Sequence, residues 1–166
     1  MEHQDAIKLI EKGIEGDQPQ RWADLGCGDG VFTLALAMFL PPGSQIFAYD
    51  LKRQNLPPSL NGISIHFERL DFDNGHLPVS DLDGIVLANS LHYIKDKADL
   101  IQWLNVPKFF IVEYERKSAN PWVPYPITSE ELIKLFDSLG YRAEKLAELP
   151  SRFSGSIYSL VATRKD

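Results

Sequence analysis

From Gln20 to Leu40 the chain reads QRWADLGCGDGVFTLALAMFL: a short strand-like run, three glycines at alternate positions, then a segment apolar on nearly every side. A helix that is apolar all round must be packed between layers. A glycine-rich turn leading into it from a strand belongs at the carboxyl edge of an open α/β sheet, where nucleotide-like ligands lie. Gly26, Gly28 and Gly30 would let backbone come close to such a ligand. A dinucleotide fingerprint requires its third glycine at position 31, but Val31 stands there and the glycine comes one place early. Asp24 and Asp29 would repel a pyrophosphate and attract a ligand carrying an ammonium and a sulfonium.

The rest of the chain extends the same architecture. RWADL, QIFAYD, ISIHFERL, DGIVLAN, KFFIVEY, RAEKLAEL and IYSLVAT read as seven strands, rich in Ile, Val, Phe and Tyr and bounded by Gly, Pro, Asn or Asp. VFTLALAMFL and KADLIQWL read as helices between them. ITSEELIKLFDSLGY carries the strongest local helix signal, with Thr128 and Glu131 forming a capping box, Ile127 and Leu132 a hydrophobic staple, and Gly140 a stop. Ala6, Ile7, Leu9, Ile10 and Ile14 recur at helical spacing within residues 1–16. Strands alternating with helices give a doubly wound α/β domain: a mostly parallel seven-stranded sheet, helices on both faces, and a C-terminal antiparallel hairpin. All 166 residues fit one such domain, and no linker or repeat divides them.

At this point the motifs become specific. WADLGCGDG resembles the first motif of the class I S-adenosylmethionine-dependent methyltransferases, and residues 20–163 follow that family's order. The resemblance implies a Rossmann-like fold and S-adenosylmethionine as cofactor, released as S-adenosylhomocysteine. It places Asp24, Gly26, Cys27 and Gly28 in the cofactor loop, Cys27 through its backbone. Asp50 matches the acid that ends the second strand and takes both ribose hydroxyls, and a carboxylate offers the two acceptors a diol needs. Leu51 would line the adenine; Asp71 and Phe72 match the pair that meets its amino group and ring, with Asp73 a rival to Asp71. Asn89 would lie near the methionine part. The segment LKRQNLPPSLNG departs from the family: two adjacent prolines leave no room for the usual helix. A sheet face left bare there would favour a homodimer.

Methyl transfer requires alignment and exclusion of water, and no metal; a hydroxyl or protonated amine also benefits from a general base. His92, after the fourth strand, is placed either for that role or to position substrate. Glu113, ending the fifth strand, is a second base candidate or a contact for a cationic substrate. Tyr93 falls at the substrate mouth. The 114–127 segment, with Asn120, Trp122 and Tyr125 among three prolines, is either a substrate lid or a rigid loop sealing the core.

Seventeen basic and twenty-three acidic residues give a net charge of −6, which disfavours nucleic acid as partner and leaves a small-molecule methyl acceptor. One cysteine excludes an intrachain disulfide, and the polar N-terminus and the lack of a long apolar stretch point to a cytoplasmic protein without a membrane partner. Two other functions share these features: a non-catalytic cofactor-binding sensor or partner subunit, and a dinucleotide-dependent oxidoreductase.

Overall fold

The computed structural model describes residues 1–73 and 76–166. The chain runs α1 (His3–Ile10), β1 (Arg21–Leu25), α2 (Val31–Ala37), β2 (Gln45–Asp50), β3 (Ser59–Leu60), β4 (Ile63–Arg69) and β5 (Gly84–Ala88). A 3-10 turn (Leu91–Tyr93), α3 (Lys97–Leu104), β6 (Lys108–Tyr114), α4 (Ser129–Ser138), β7 (Tyr141–Pro150) and β8 (Ser156–Arg164) follow. The strands form a single sheet in the order β3-β4-β2-β1-β5-β6-β8-β7. From β4 to β6 they are parallel, and β8 and β7 close it as an antiparallel hairpin.

The expected seven strands become eight. The extra one, β3, pairs Ser59 with Ser64 and Leu60 with Ile63 around Asn61 and Gly62, both at positive φ. A two-residue loop with both central residues in that region is the hairpin turn that asparagine-glycine favours. This hairpin occupies the segment without a helix. The face beside it is not bare: Ile63 and Ile65 are 0% and 5% exposed, Leu60 packs on the same cluster as Ile63, and the Ile65 amide donates to Pro58 O. The chain's own extended connection supplies that cover.

Alternation along the central strands divides the core in two. Ile85 and Leu87 of β5 and Phe109 and Ile111 of β6 pack beneath α3 and α4, with Leu132 and Phe136. Val86, Ala88, Phe110 and Val112 face the other way, onto Ala6, Leu9 and Ile10 of α1 and Phe32 and Leu36 of α2. Strands with both faces covered read as continuous apolar runs, as GIVLA does. The capping box on α4 forms as expected: Thr128 Oγ1 accepts from the Glu131 amide, and the Glu131 carboxylate accepts from the Thr128 amide. Among the described residues, no helix is long and apolar enough to cross a membrane.

Candidate functional site

The carboxyl ends of β1, β2, β5 and β6 deliver Gly26, Asp50, Asn89 and Tyr114 to one edge of the sheet. The loop after β1 is fastened first. The Gly26 and Cys27 amides both donate to Tyr49 O at 2.9 Å, and Ser90 Oγ donates to Leu25 O at 2.7 Å. Gly26 has φ +75, and a Cβ there would lie 2.7 Å from Ser90 Cβ, so no other residue fits without displacement. Gly28, at φ +54, has nothing within 4 Å of a notional Cβ, and its amide donates to Asp50 Oδ2 at 2.9 Å. Lys52 donates its amide to Asp50 Oδ1, also at 2.9 Å. Each oxygen of Asp50 keeps a further lone pair for a ligand.

Around this carboxylate lies a cavity of about 610 Å³ lined by Gly26, Gly28, Asp50, Leu51, Asp71, Phe72, Asn89 and Tyr93, all expected at the site from the sequence. Lys52, Gln54, Asp73, Ser90 and Ile94 also line it. Leu51 and Tyr93 are 62% and 57% exposed, large apolar surfaces held in water at the cavity. Asp73 is tied to Asp71 by its own amide, which donates to Asp71 Oδ1 at 3.2 Å. The sequence gives no site signal for Lys52, Gln54, Ser90 or Ile94: Lys52 and Gln54 belong to the irregular connection after β2, and Ser90 and Ile94 flank the expected Asn89 and Tyr93.

Asp24 and Cys27 stand behind this wall and do not line the cavity. Asp24 is 1% exposed, and its Oδ2 accepts from Thr33 Oγ1 at 2.6 Å. Burial raises its carboxyl to about 7, opposed by the Thr33 hydrogen bond and aided by the Asp50 charge. Burial likewise pushes the Cys27 thiol up, with Asp24 and Asp50 adding to it, which disfavours the thiolate, and its amide is taken by Tyr49 O.

Asn89 marks a boundary. It adopts φ +54 just past β5, donates its amide to Val112 O at 2.8 Å, and leaves Oδ1 buried without a partner. Besides the first cavity it lines a second, of about 450 Å³, walled by the start of α1, Tyr114 and the β7–β8 hairpin tip. The hairpin tip was not among the expected site residues. Its aromatic, Phe153, lies some forty residues further along the chain from Tyr114, a separation that no local pattern spans.

His92 and Glu113, separate candidates in the sequence, meet directly. His92 Nδ1 lies 2.7 Å from Glu113 Oε2, and the His92 amide donates to Glu113 Oε1 at 3.0 Å. The Tyr114 amide also donates to Oε2, at 3.3 Å. Both side chains are buried, at 3% and 2% exposure. Both oxygens of Glu113 thus engage His92 and the Tyr114 amide, and neither Glu113 nor His92 lines either cavity. A carboxylate on Nδ1–H leaves Nε2 as the acceptor nitrogen.

The 114–127 segment is fixed over this pair. Tyr125 donates its amide to His92 O at 3.0 Å, and Lys97 Nζ joins Ile94 O and Tyr125 O at 2.7 and 2.8 Å. Asn120 reaches neither cavity; its Oδ1 accepts from the Trp122 and Val123 amides and folds the loop. Trp122, 65% exposed, stands edge-on to Phe153 with ring centroids 6.3 Å apart.

No protein-family model and no curated protein matches the sequence. Solved structures do match in shape. A methyltransferase dependent on S-adenosylmethionine from Mesorhizobium loti gives a TM-score of 0.71 at 17% identity, over 98% of this chain and 100% of that one. The 1,6-didemethyltoxoflavin-N1-methyltransferase of Burkholderia thailandensis, solved with 1,6-didemethyltoxoflavin and S-adenosylhomocysteine, gives 0.70 at 20%, over 99% and 78%. Magnesium protoporphyrin IX methyltransferase of Synechocystis, solved with S-adenosylhomocysteine, gives 0.69 at 14%, over 98% and 81%.

Proposed function

We propose that this chain, which has the fold of the class I S-adenosylmethionine-dependent methyltransferases, transfers a methyl group from S-adenosylmethionine to an oxygen or nitrogen of a small molecule. One observation carries the reading: a single cavity gathers Gly26, Gly28, Asp50, Leu51, Asp71, Phe72 and Asn89 from separate strand ends. The residues suit that cofactor chemically. Asp50 presents two oxygens with free lone pairs to a ribose diol. Leu51 and Phe72 offer apolar surface to a base, and the buried, unpartnered Asn89 Oδ1 requires a donor such as an ammonium. The acids around the cavity favour a cation.

S-adenosylmethionine supplies an activated methyl carbon, so the chain's own work is alignment, exclusion of water and movement of the acceptor's proton. In this reading Glu113 fixes the His92 tautomer and His92 Nε2 takes that proton. The 2% exposure of His92 supports a second role, positioning the acceptor without proton transfer. A pH profile of the rate separates the two: base catalysis gives an acidic limb assignable to His92 that disappears in His92→Gln, and positioning gives none.

The experiment that tests the cofactor is calorimetry with S-adenosylmethionine, S-adenosylhomocysteine and NADH. Binding of the first two and not the third is expected; no uptake of either sulfur compound overturns the reading. Incubation with methyl-labelled cofactor and separated metabolite and macromolecule fractions then identifies the acceptor, and tight binding without label transfer to any fraction would make the chain a sensor or partner subunit.

A further inference from the structure

The second cavity has walls of a particular chemistry. The Tyr114 ring at the end of β6 and the Phe153 ring at the hairpin tip stand 5.2 Å apart at 48°, and Trp122 closes on Phe153 from the 114–127 segment. Tyr114 and Phe153, some forty residues apart in sequence, thus line one cavity, while Trp122 stays outside its lining and stands edge-on to Phe153. Tyr114 packs partly on the core, but the other two rings do not fill it: Phe153 is 49% and Trp122 65% exposed. Aromatic surface of this size left in water is costly unless something covers it. Leu149, Pro150 and Ile157 also line it, with Glu2, Asp5 and Arg152 as its charged residues. The volume of about 450 Å³ lies within the range of small-molecule pockets.

The position of this cavity ties it to the first one. Asn89 lines both, so a molecule in the second cavity lies across a single side chain from the first. Its far wall, Tyr114, is 5.9 Å from the His92 ring. A flat ring seated against Tyr114 and Phe153 would therefore lie beside the first cavity, while His92 and Glu113 line neither cavity and reach the second only through the Tyr114 ring.

We infer that the second cavity is the acceptor site and that the acceptor is a small flat aromatic or heteroaromatic molecule whose hydroxyl or ring nitrogen takes the methyl group. In the reaction a bond forms between that oxygen or nitrogen and the methyl carbon, the sulfonium–carbon bond breaks with its electron pair going to sulfur, and the proton of a hydroxyl or N–H acceptor leaves to water or, through it, to His92; a ring nitrogen without a proton gives the methylated cation. The inference rests on the cofactor reading given above, but the site can be tested apart from it. Aromatic–aromatic contact beyond burial alone separates a ring from an aliphatic molecule of equal size.

Saturation-transfer NMR on the full chain, with and without S-adenosylhomocysteine, would use phenol, indole and quinoline as aromatic probes and cyclohexanol and cyclohexylamine as aliphatic ones. Transfer to the aromatic probes is expected, with at least a tenfold weakening in both Phe153→Ala and Tyr114→Leu. Affinity for S-adenosylhomocysteine should stay within twofold in both variants, since neither residue lines the first cavity. Phe153 is exposed, so its variant tests the site even if Tyr114→Leu fails to fold. Equal transfer to the aliphatic probes, or aromatic binding unchanged in Phe153→Ala, overturns the inference. If the wild-type chain binds no S-adenosylhomocysteine, the cofactor reading falls, and the probe arms without it still decide whether the second cavity selects rings.

Discussion

Asp24 is the residue whose physics is most exposed to measurement. Its carboxyl is buried in β1 with a single hydroxyl for company, and burial raises it from 3.8 to about 7. A raised acid binds its proton more tightly in the folded chain than in the unfolded one. Between pH 4 and 7 the unfolded chain has lost that proton while the folded chain still holds it, so stability falls as pH rises through this window and is flat above it. At roughly 1.4 kcal/mol per pH unit, the three units amount to about 4 kcal/mol of destabilisation at pH 8 relative to a neutral side chain. Asp24→Asn supplies that neutral side chain and keeps an oxygen for Thr33. Urea unfolding, followed by tryptophan fluorescence at pH 4.5, 6, 7 and 8, should find the variant close to wild type at the lowest pH and about 4 kcal/mol more stable at the highest. Expressed as melting temperature, that is on the order of 10 °C. A gap of the same size at pH 4.5 and pH 8 would refute the reasoning, because it would mean that Asp24 ionises in the folded chain as it does in the unfolded one.

Three further outcomes follow from the same geometry. Asp50→Ala removes the carboxylate that faces the first cavity and should weaken S-adenosylhomocysteine at least tenfold by calorimetry, a loss of about 1.4 kcal/mol or more; unchanged affinity removes Asp50 from the site. Lys97→Met leaves Ile94 O and Tyr125 O without the ammonium they share, at about 1–3 kcal/mol. Amide exchange at Tyr125 should accelerate at least tenfold while that of β5 does not, and unchanged exchange would show that the loop is held by other contacts. Thr128→Ala breaks the capping box of α4 and should cost about 1 kcal/mol in urea unfolding, with no change in cofactor affinity.

What was legible in the sequence was what local periodicity and spacing encode. The Gly26-to-Gly30 loop, the apolar runs of β1, β5 and β6, and the Thr128 cap each depend on residues within one element or one turn, and each appears where the pattern placed it. The extra strand β3 escaped although its signal was present, because Asn61-Gly62 fixes a hairpin even when a strand has two residues, too few for any alternation to register. Asn120 carries a related ambiguity: an asparagine among prolines can present its side chain to a ligand or turn its oxygen to the following amides, and here Oδ1 accepts from Trp122 and Val123. The second cavity was illegible altogether, since Tyr114, Phe153 and Asn89 meet through the pairing of β6 with β8 and β5.

Two acids lie inside strands, and the sequence pattern alone sets their problem. Asp24 in RWADL and Glu113 in KFFIVEY each interrupt a run that the sheet buries on both faces. A carboxylate in that position must either find donors or give up its charge. Glu113 finds three, two from His92 and one from the Tyr114 amide. Asp24 finds the Thr33 hydroxyl alone and sits within reach of the Asp50 charge. The residues after β5 made a partner for Glu113 foreseeable, because parallel pairing of β5 with β6 brings the turn at His92 level with the end of β6. Nothing comparable reaches Asp24: α2 offers a hydroxyl and no cation, and the neighbouring strand end adds a second acid. Asp24 therefore takes the second course and holds its proton up to about pH 7, which leaves Asp50, one strand over, as the acid that lines the first cavity.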